Sequence, residues 1–232
     1  MYVLKELLFP RHCPICDGIV PKLGNLCCDT CLPKLQYVGE NFCIKCGKKL
    51  QKEEMEYCED CRKYEHIFER ARSLFEYQSV AQGIFRFKYQ NRQEYADFYG
   101  EMIYRYLKDW FVYIGADAIV PVPLHKSRMQ ERGYNQAQLI AQALSKRLHI
   151  PTLSKSVVRC KKTTPQKVLN RKERQNNLKK AFKIVRNDVK LKTVLIVDDI
   201  YTTGSTVDAL AEVLLEAGAY KIFVVTLATG VA

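Results

Sequence analysis

The stretch Val194-Leu195-Ile196-Val197-Asp198-Asp199-Ile200-Tyr201-Thr202-Thr203-Gly204-Ser205-Thr206 decides how the chain is read. Four consecutive apolar residues, Val194 to Val197, have the character of a parallel strand buried on both faces. In open α/β sheets, ligands lie beyond the carboxyl ends of such strands. Here that end carries two adjacent acids, Asp198 and Asp199. Side chains alternate along an extended segment, but a backbone that turns at the strand end lets both carboxylates approach the vicinal hydroxyls of a ribose and a bound Mg2+. The turn from Thr202 through Thr203, Gly204 and Ser205 to Thr206 then offers backbone N–H groups, hydroxyls and the positive end of the next helix, a cup suited to a phosphate. Each feature singly also fits a surface Asp-Asp turn with Ser205 or Thr206 as a helix cap. The combination is what points to a sugar phosphate.

Working outward, Lys192 to Val197 reads as a buried strand, Ser205 to Ala217 as an amphipathic helix closed by Gly218, and Lys221 to Leu227 as a further strand. Upstream, Ala116 to Val122 reads as a strand ending in the Pro121/Pro123 pair, followed by a helix from about Tyr134 to Leu148. Gln82 to Phe111 shows a helical rhythm with a break near Gln90 to Gln93, and Tyr64 to Tyr77 reads as the strand that leads into the main domain. Strands alternating with helices predict an α/β fold with a parallel, doubly wound sheet. The 232 residues suffice for one such domain, expected over 66–232, and one small module, expected over 1–65.

The small module is written in cysteine. Nine of the ten cysteines fall within the first 61 residues, as the pairs Cys13/Cys16, Cys28/Cys31, Cys43/Cys46 and Cys58/Cys61, with Cys27 as an extra neighbour. Shifting the first C-x2-C-x11-C-x2-C block by thirty residues superposes it on the second, so two copies of one unit are predicted. Four thiolates at this spacing suit tetrahedral Zn2+, and an all-cysteine shell leaves no open position for substrate, so two structural zinc ions are expected. Gly18, Gly24 and Gly47 near the turns fit such geometry. Each copy is expected to hold one zinc; interleaved ligation of the pairs is also compatible with the spacing, and a disulfide set is the alternative for an oxidising compartment. Cys27, His12 and Cys160 read as bystanders.

Apolar residues make up 47% of the chain and charged residues 27%, which suits a globular protein. No apolar run has the roughly 20 residues of a membrane span. Met1 to Pro10 lacks the basic flank and cleavage site of a signal peptide, so the expected location is cytoplasmic. Charge is uneven: residues 1–66 hold ten basic and ten acidic side chains, whereas 155–192 hold fourteen basic and two acidic, matching the net +12 of the whole chain. Such a field favours polyanions, among them nucleic acid and pyrophosphate-bearing ligands. Eight thiolates with two Zn2+ bring the total to about +8 and make the cysteine module itself a poor DNA contact.

The segment Val194 to Thr206 resembles the signature of type I phosphoribosyltransferases. Three further stretches narrow the likeness: Val120-Pro121-Val122-Pro123-Leu124 with Arg132-Gly133-Tyr134-Asn135-Gln136; Arg159 to Phe182 with Gln166, Arg174 and Asn177; and the cysteine module. Together they resemble the ComF family over nearly the whole chain. That resemblance implies an N-terminal zinc ribbon joined to a phosphoribosyltransferase-like domain, phosphoribosyl pyrophosphate with Mg2+ as ligand, and a part in single-stranded DNA uptake during transformation beside a helicase partner. It also implies that Asp198 and Asp199 engage the ribose hydroxyls, that Thr202 to Thr206 hold the 5-phosphate, that the loop with Pro123, Leu124 and Arg132 takes the pyrophosphate, and that a hood at about 154–190 covers the site. Arg159, Lys161, Lys162, Gln166, Arg171 and Arg174 of that hood fit two jobs: closing on a pyrophosphate leaving group or following a DNA backbone. Base stacking in the hood looks weak, because between Ser154 and Phe182 it has no Tyr or Trp. Asn135 also fits a plain helix cap. Two functions follow: a competence-type factor binding phosphoribosyl pyrophosphate and single-stranded DNA, or a metabolic phosphoribosyltransferase with an unidentified acceptor.

Overall fold

The computed structural model describes residues 10–21, 24–160 and 181–230. Along the chain these form α1 (Glu59–Lys63), β1 (Arg70–Glu76), α2 (Tyr77–Tyr89), α3 (Tyr95–Ile114), β2 (Ala118–Pro121), α4 (Lys126–Arg132), α5 (Gln136–Leu148), β3 (Val157–Arg159), β4 (Phe182–Ile184), β5 (Thr193–Tyr201), α6 (Ser205–Glu216) and β6 (Lys221–Thr229). The main sheet has the order β1-β6-β5-β2, and every pairing in it is parallel. An antiparallel pair of β3 and β4 forms a separate two-stranded sheet.

Residue alternation sorts the two cores. Leu195 and Val197 of β5, with Val225 and Leu227 of β6, join the cluster that contains the buried faces of α2, α3 and α5. Val194 and Ile196, with Ile222 and Val224, join the cluster on the other face, with α6 and the second cysteine unit. Each of these side chains is essentially solvent-free, and full burial of one such residue contributes about 1.5–3 kcal/mol. An uninterrupted apolar strand is therefore what this position in the sheet requires.

The predicted helical break is real: α2 ends at Tyr89, α3 begins at Tyr95, and Asn91 between them has a left-handed φ of 53°. Two features depart from the reading of the sequence. The loop after Val122 folds into α4, held at its start by the His125 ring accepting from Ser127 N at 3.2 Å. In addition, β5 does not stop at Val197. It stays paired with β6 as far as Tyr201 opposite Thr229, whereas β2 ends with Pro121 opposite Val197.

The cysteine module closes the other edge of the sheet. Ala71 N donates to Lys45 O (2.8 Å), Val38 N to Leu74 O (3.0 Å) and Glu76 N to Gln36 O (2.8 Å), so the exposed side of β1 is paired. Its first unit is tied to the helices through Asp17, which accepts from Tyr95 Oη (2.6 Å) and Arg92 Nη2 (3.1 Å). Gly83 of α2 lies so close to Pro14 O that a Cβ there would collide with it.

Candidate ligand site and metal centres

The thirty-residue repeat is present in the backbone. Cys13 N donates to Gly18 O and Cys43 N to Lys48 O; Val20 N donates to Arg11 O and Leu50 N to Asn41 O. The left-handed position of the first unit falls on Asp17 (φ 63°), matched in the second by Gly47 (φ 73°), while Gly18 is not left-handed. The thiols of Cys13, Cys16, Cys28 and Cys31 lie within 4.8 Å of one another, as do those of Cys43, Cys46, Cys58 and Cys61. The pairs are thus not interleaved. Tetrahedral Zn–S bonds place sulfurs about 3.8 Å apart; the Cys16–Cys28 and Cys46–Cys58 separations are 3.9 and 3.6 Å. Both four-thiol sets fit structural zinc. Cys27 is buried with its Sγ 3.5 Å from that of Cys13, a fifth thiol beside the first set, whereas exposed Cys160 is remote in sequence from both.

Because β5 outruns β2, Asp198 and Asp199 sit on a strand paired on one side only, beside the gap left where β2 ends. Val122 N still reaches Val197 O (2.9 Å), so the loop carrying Pro123 and Leu124 starts next to the acids. The strand continues through both acids, with Asp198 opposite Thr226 and Ile200 opposite Ala228. Asp199 meets Lys88 of α2, with Nζ 2.8 Å from Oδ2 and both side chains largely buried. Asp198 Oδ1 accepts from Asp199 N (2.8 Å). Burial, and then the charge of Asp199, push the Asp198 carboxyl up to about 7. Arg159, at the end of β3, lies close enough for its charge to oppose that rise. Burial lowers the proton affinity of the Arg159 guanidinium, and the charge of Arg128 on α4 lowers it further. The site therefore gathers two acids and three basic side chains from four elements. Lys88 and Arg128 carry no motif in the sequence; a helix 110 residues upstream of Asp198 delivers the former.

After Tyr201 the chain turns through Thr202, Thr203 and Gly204 into α6, whose first residue is Ser205. Gly204 has φ 78°, and a Cβ there would strike Tyr201 Oη and the His66 ring. No other residue fits this turn. The Thr203 and Ser205 hydroxyls lie 3.0 Å apart, and Thr206 follows in the first helical turn.

Arg132 ends α4, where Nη1 donates to Gln136 Oε1 (2.9 Å) and Nη2 to Tyr89 Oη (3.1 Å), with the guanidinium 5.0 Å from the Tyr89 ring centre. Tyr89 and Phe85 are about half exposed with rings 5.2 Å apart. Asn135 is a buried helix cap: its Oδ1 accepts from Ala137 N (3.0 Å) and its Nδ2 donates to Val122 O (2.9 Å). The hood positions Lys161, Lys162, Gln166, Arg171 and Arg174 lie outside the described residues.

A double zinc ribbon family model matches residues 4–62, and a phosphoribosyl transferase domain model matches residues 134–232. Competence protein F of Haemophilus influenzae is 33% identical over 220 residues, spanning 92% of this chain and 95% of that protein. The chain belongs to the ComF family. Another ComF relative, competence protein ComFC of Bacillus subtilis, is 28% identical over 82% of this chain and 78% of its own length. Among solved structures, a purine phosphoribosyltransferase from Pyrococcus horikoshii covers 57% of the chain and 71% of its own, at 23% identity and TM-score 0.36. The chain covers 22% of a Bacillus subtilis glutamine phosphoribosylpyrophosphate amidotransferase, and 48% of the chain is matched, at 21% identity and TM-score 0.34. This ComF chain therefore joins a two-site zinc ribbon to a phosphoribosyltransferase-type α/β domain. Among the described residues, no helix is long and apolar enough to cross a membrane.

Proposed function

We propose that this ComF protein binds phosphoribosyl pyrophosphate at the end of β5 and acts on single-stranded DNA during competence. The observation that carries the ligand reading is the placement of two acids on the end of β5 that runs beyond β2, three residues ahead of a glycine-dependent turn into a helix. Thr202 to Ser205 and the first turn of α6 would take the 5-phosphate through N–H groups, hydroxyls and the helix's positive end. Asp198 and Asp199 would face the ribose, with Lys88 fixing Asp199. Arg159, near Asp198, and Arg128, near Arg159, suit the pyrophosphate.

A divalent cation fits here, because the Asp198 carboxyl is held near neutrality by burial and a neighbouring anion, and a bound cation relieves both. Mg2+ held by Asp198 would supply charge neutralisation to the pyrophosphate. The DNA reading is supported by the family relationship, by the excess of basic charge in 155–192, and by the exposed Phe85–Tyr89 pair with Arg132 at the rim. A helicase of the competence machinery is the partner that this reading implies.

Calorimetry with phosphoribosyl pyrophosphate and Mg2+ on zinc-loaded protein tests the first half: one site per chain is expected, lost in Asp199→Asn. Binding of a labelled oligonucleotide across a salt series tests the second. A steep fall with salt is expected, weakened in Lys161→Ala/Lys162→Ala and in Tyr89→Ala; oligonucleotide affinity below that of a neutral control protein would remove DNA from the account.

A further inference from the structure

Behind the phosphate turn lies a buried chain of polar groups. His66 comes from the connector five residues beyond Cys61 and is almost wholly enclosed, as are Asp208 and Tyr201. Its Nδ1 is 2.8 Å from Asp208 Oδ2, and its Nε2 is 3.2 Å from Tyr201 Oη. The second carboxylate oxygen of Asp208 accepts from Ile67 N (3.1 Å), and Asp208 N donates to Gly204 O (2.8 Å). Nδ1 thus donates to the Asp208 carboxylate, and Nε2 shares a hydrogen bond with the Tyr201 hydroxyl. One face of the ring stacks on Phe68 at 4.9 Å, and its Cε1 lies 2.6 Å from where a Cβ of residue 204 would stand.

This arrangement bears on anion binding in two ways. Tyr201 and Asp208 bracket the turn from Thr202 to Ser205, so a ring bonded to both holds the turn's two ends in register. Asp208 also places a carboxylate in the first turn of α6, the helix end offered to the phosphate, where a free anion would repel it. The His66 ring and Ile67 N occupy one lone pair on each of its oxygens.

We propose that His66 is the positioning residue of the phosphate turn: it fixes the Gly204 loop and engages the Asp208 carboxylate, so the connector from the zinc ribbon sets the affinity of the ligand site. This rests on the ligand reading above, and the test separates the two. Phosphoribosyl pyrophosphate with Mg2+ is titrated into wild type, His66→Phe and His66→Asn, all zinc-loaded, and amide hydrogen exchange is measured at residues 204–208 and in β6.

The Phe ring keeps the stacking on Phe68 and loses both hydrogen bonds. Affinity is expected to fall at least tenfold and exchange at 204–208 to quicken at least tenfold, with β6 unchanged. Asn places an N–H where Nδ1 stood and is expected to recover affinity to within about threefold of wild type. Should His66→Phe fail to fold, Tyr201→Phe serves in its place, with an expected loss of about threefold. Equal affinity in wild type and His66→Phe, or equal loss in Phe and Asn, overturns the proposal. If wild type binds nothing, the ligand reading falls, and the exchange data decide alone: quickening confined to 204–208 upholds the positioning role, and unchanged protection overturns it.

Discussion

Replacing Asp198 with Asn should make the ligand-free protein more stable. The carboxyl is pushed from an ordinary 3.8 up to about 7 by burial and by Asp199, so its charged form is disfavoured in the fold. A rise of that size corresponds to about 4 kcal/mol of destabilisation well above pH 7, at about 1.4 kcal/mol per pH unit. Solvent reaching this half-buried group lowers the figure, and roughly 1–3 kcal/mol is the expected gain at pH 8. Asn can keep the acceptor for Asp199 N and removes only the charge.

The sign follows from the raised value. The unfolded carboxyl ionises near 4 and the folded one near 7, so the penalty is fully present above pH 7 and shrinks as pH falls through that window. The advantage of Asn should therefore be about 1 kcal/mol smaller at pH 6 than at pH 8. Urea unfolding of both zinc-loaded proteins at the two values measures it. An Asn variant less stable than wild type at pH 8, or a gain independent of pH, would refute the reasoning. A stabilising change that also removes ligand binding would mark Asp198 as strained for its function.

Lys88→Met leaves Asp199 in a largely buried position without its cation, and should cost about 2 kcal/mol in urea unfolding; a Lys88→Met/Asp199→Asn double variant should cost less than the two singles together. Gly204→Ala combines a left-handed φ with a collision against Tyr201 and His66, and should lower stability by about 2 kcal/mol or more by the same measurement. Cys46→Ser opens one four-thiol set and leaves the other, so native mass spectrometry should find one zinc per chain where the parent holds two.

The strands and helices around β5 were legible because apolar runs and periodicity report burial directly. Val194 to Val197 had to be central, and the thirty-residue cysteine repeat named the eight thiols, while their grouping into two sets without interleaving is a finding of the structure. The continuation of β5 to Tyr201 was hidden, since Asp-Asp-Ile-Tyr has no strand pattern of its own and is held by pairing with β6. This changes how the acids are presented: they sit on a strand still paired with β6, where the sequence suggested a turn. Lys88, Arg128 and His66 were illegible for a related reason. Each acts through a contact distant in sequence, and a single basic residue on a helix or in a connector looks like any solvated one. Asn135 had a local reading as a cap, and the structure shows that cap.

A crystal structure of the zinc-loaded protein with phosphoribosyl pyrophosphate and Mg2+ tests the central claim most directly. The 5-phosphate should sit on the amides that follow Thr202, with the ribose hydroxyls toward Asp198 and Asp199. Ligand density anywhere else, or a vacant end of β5 at saturating ligand, would contradict it.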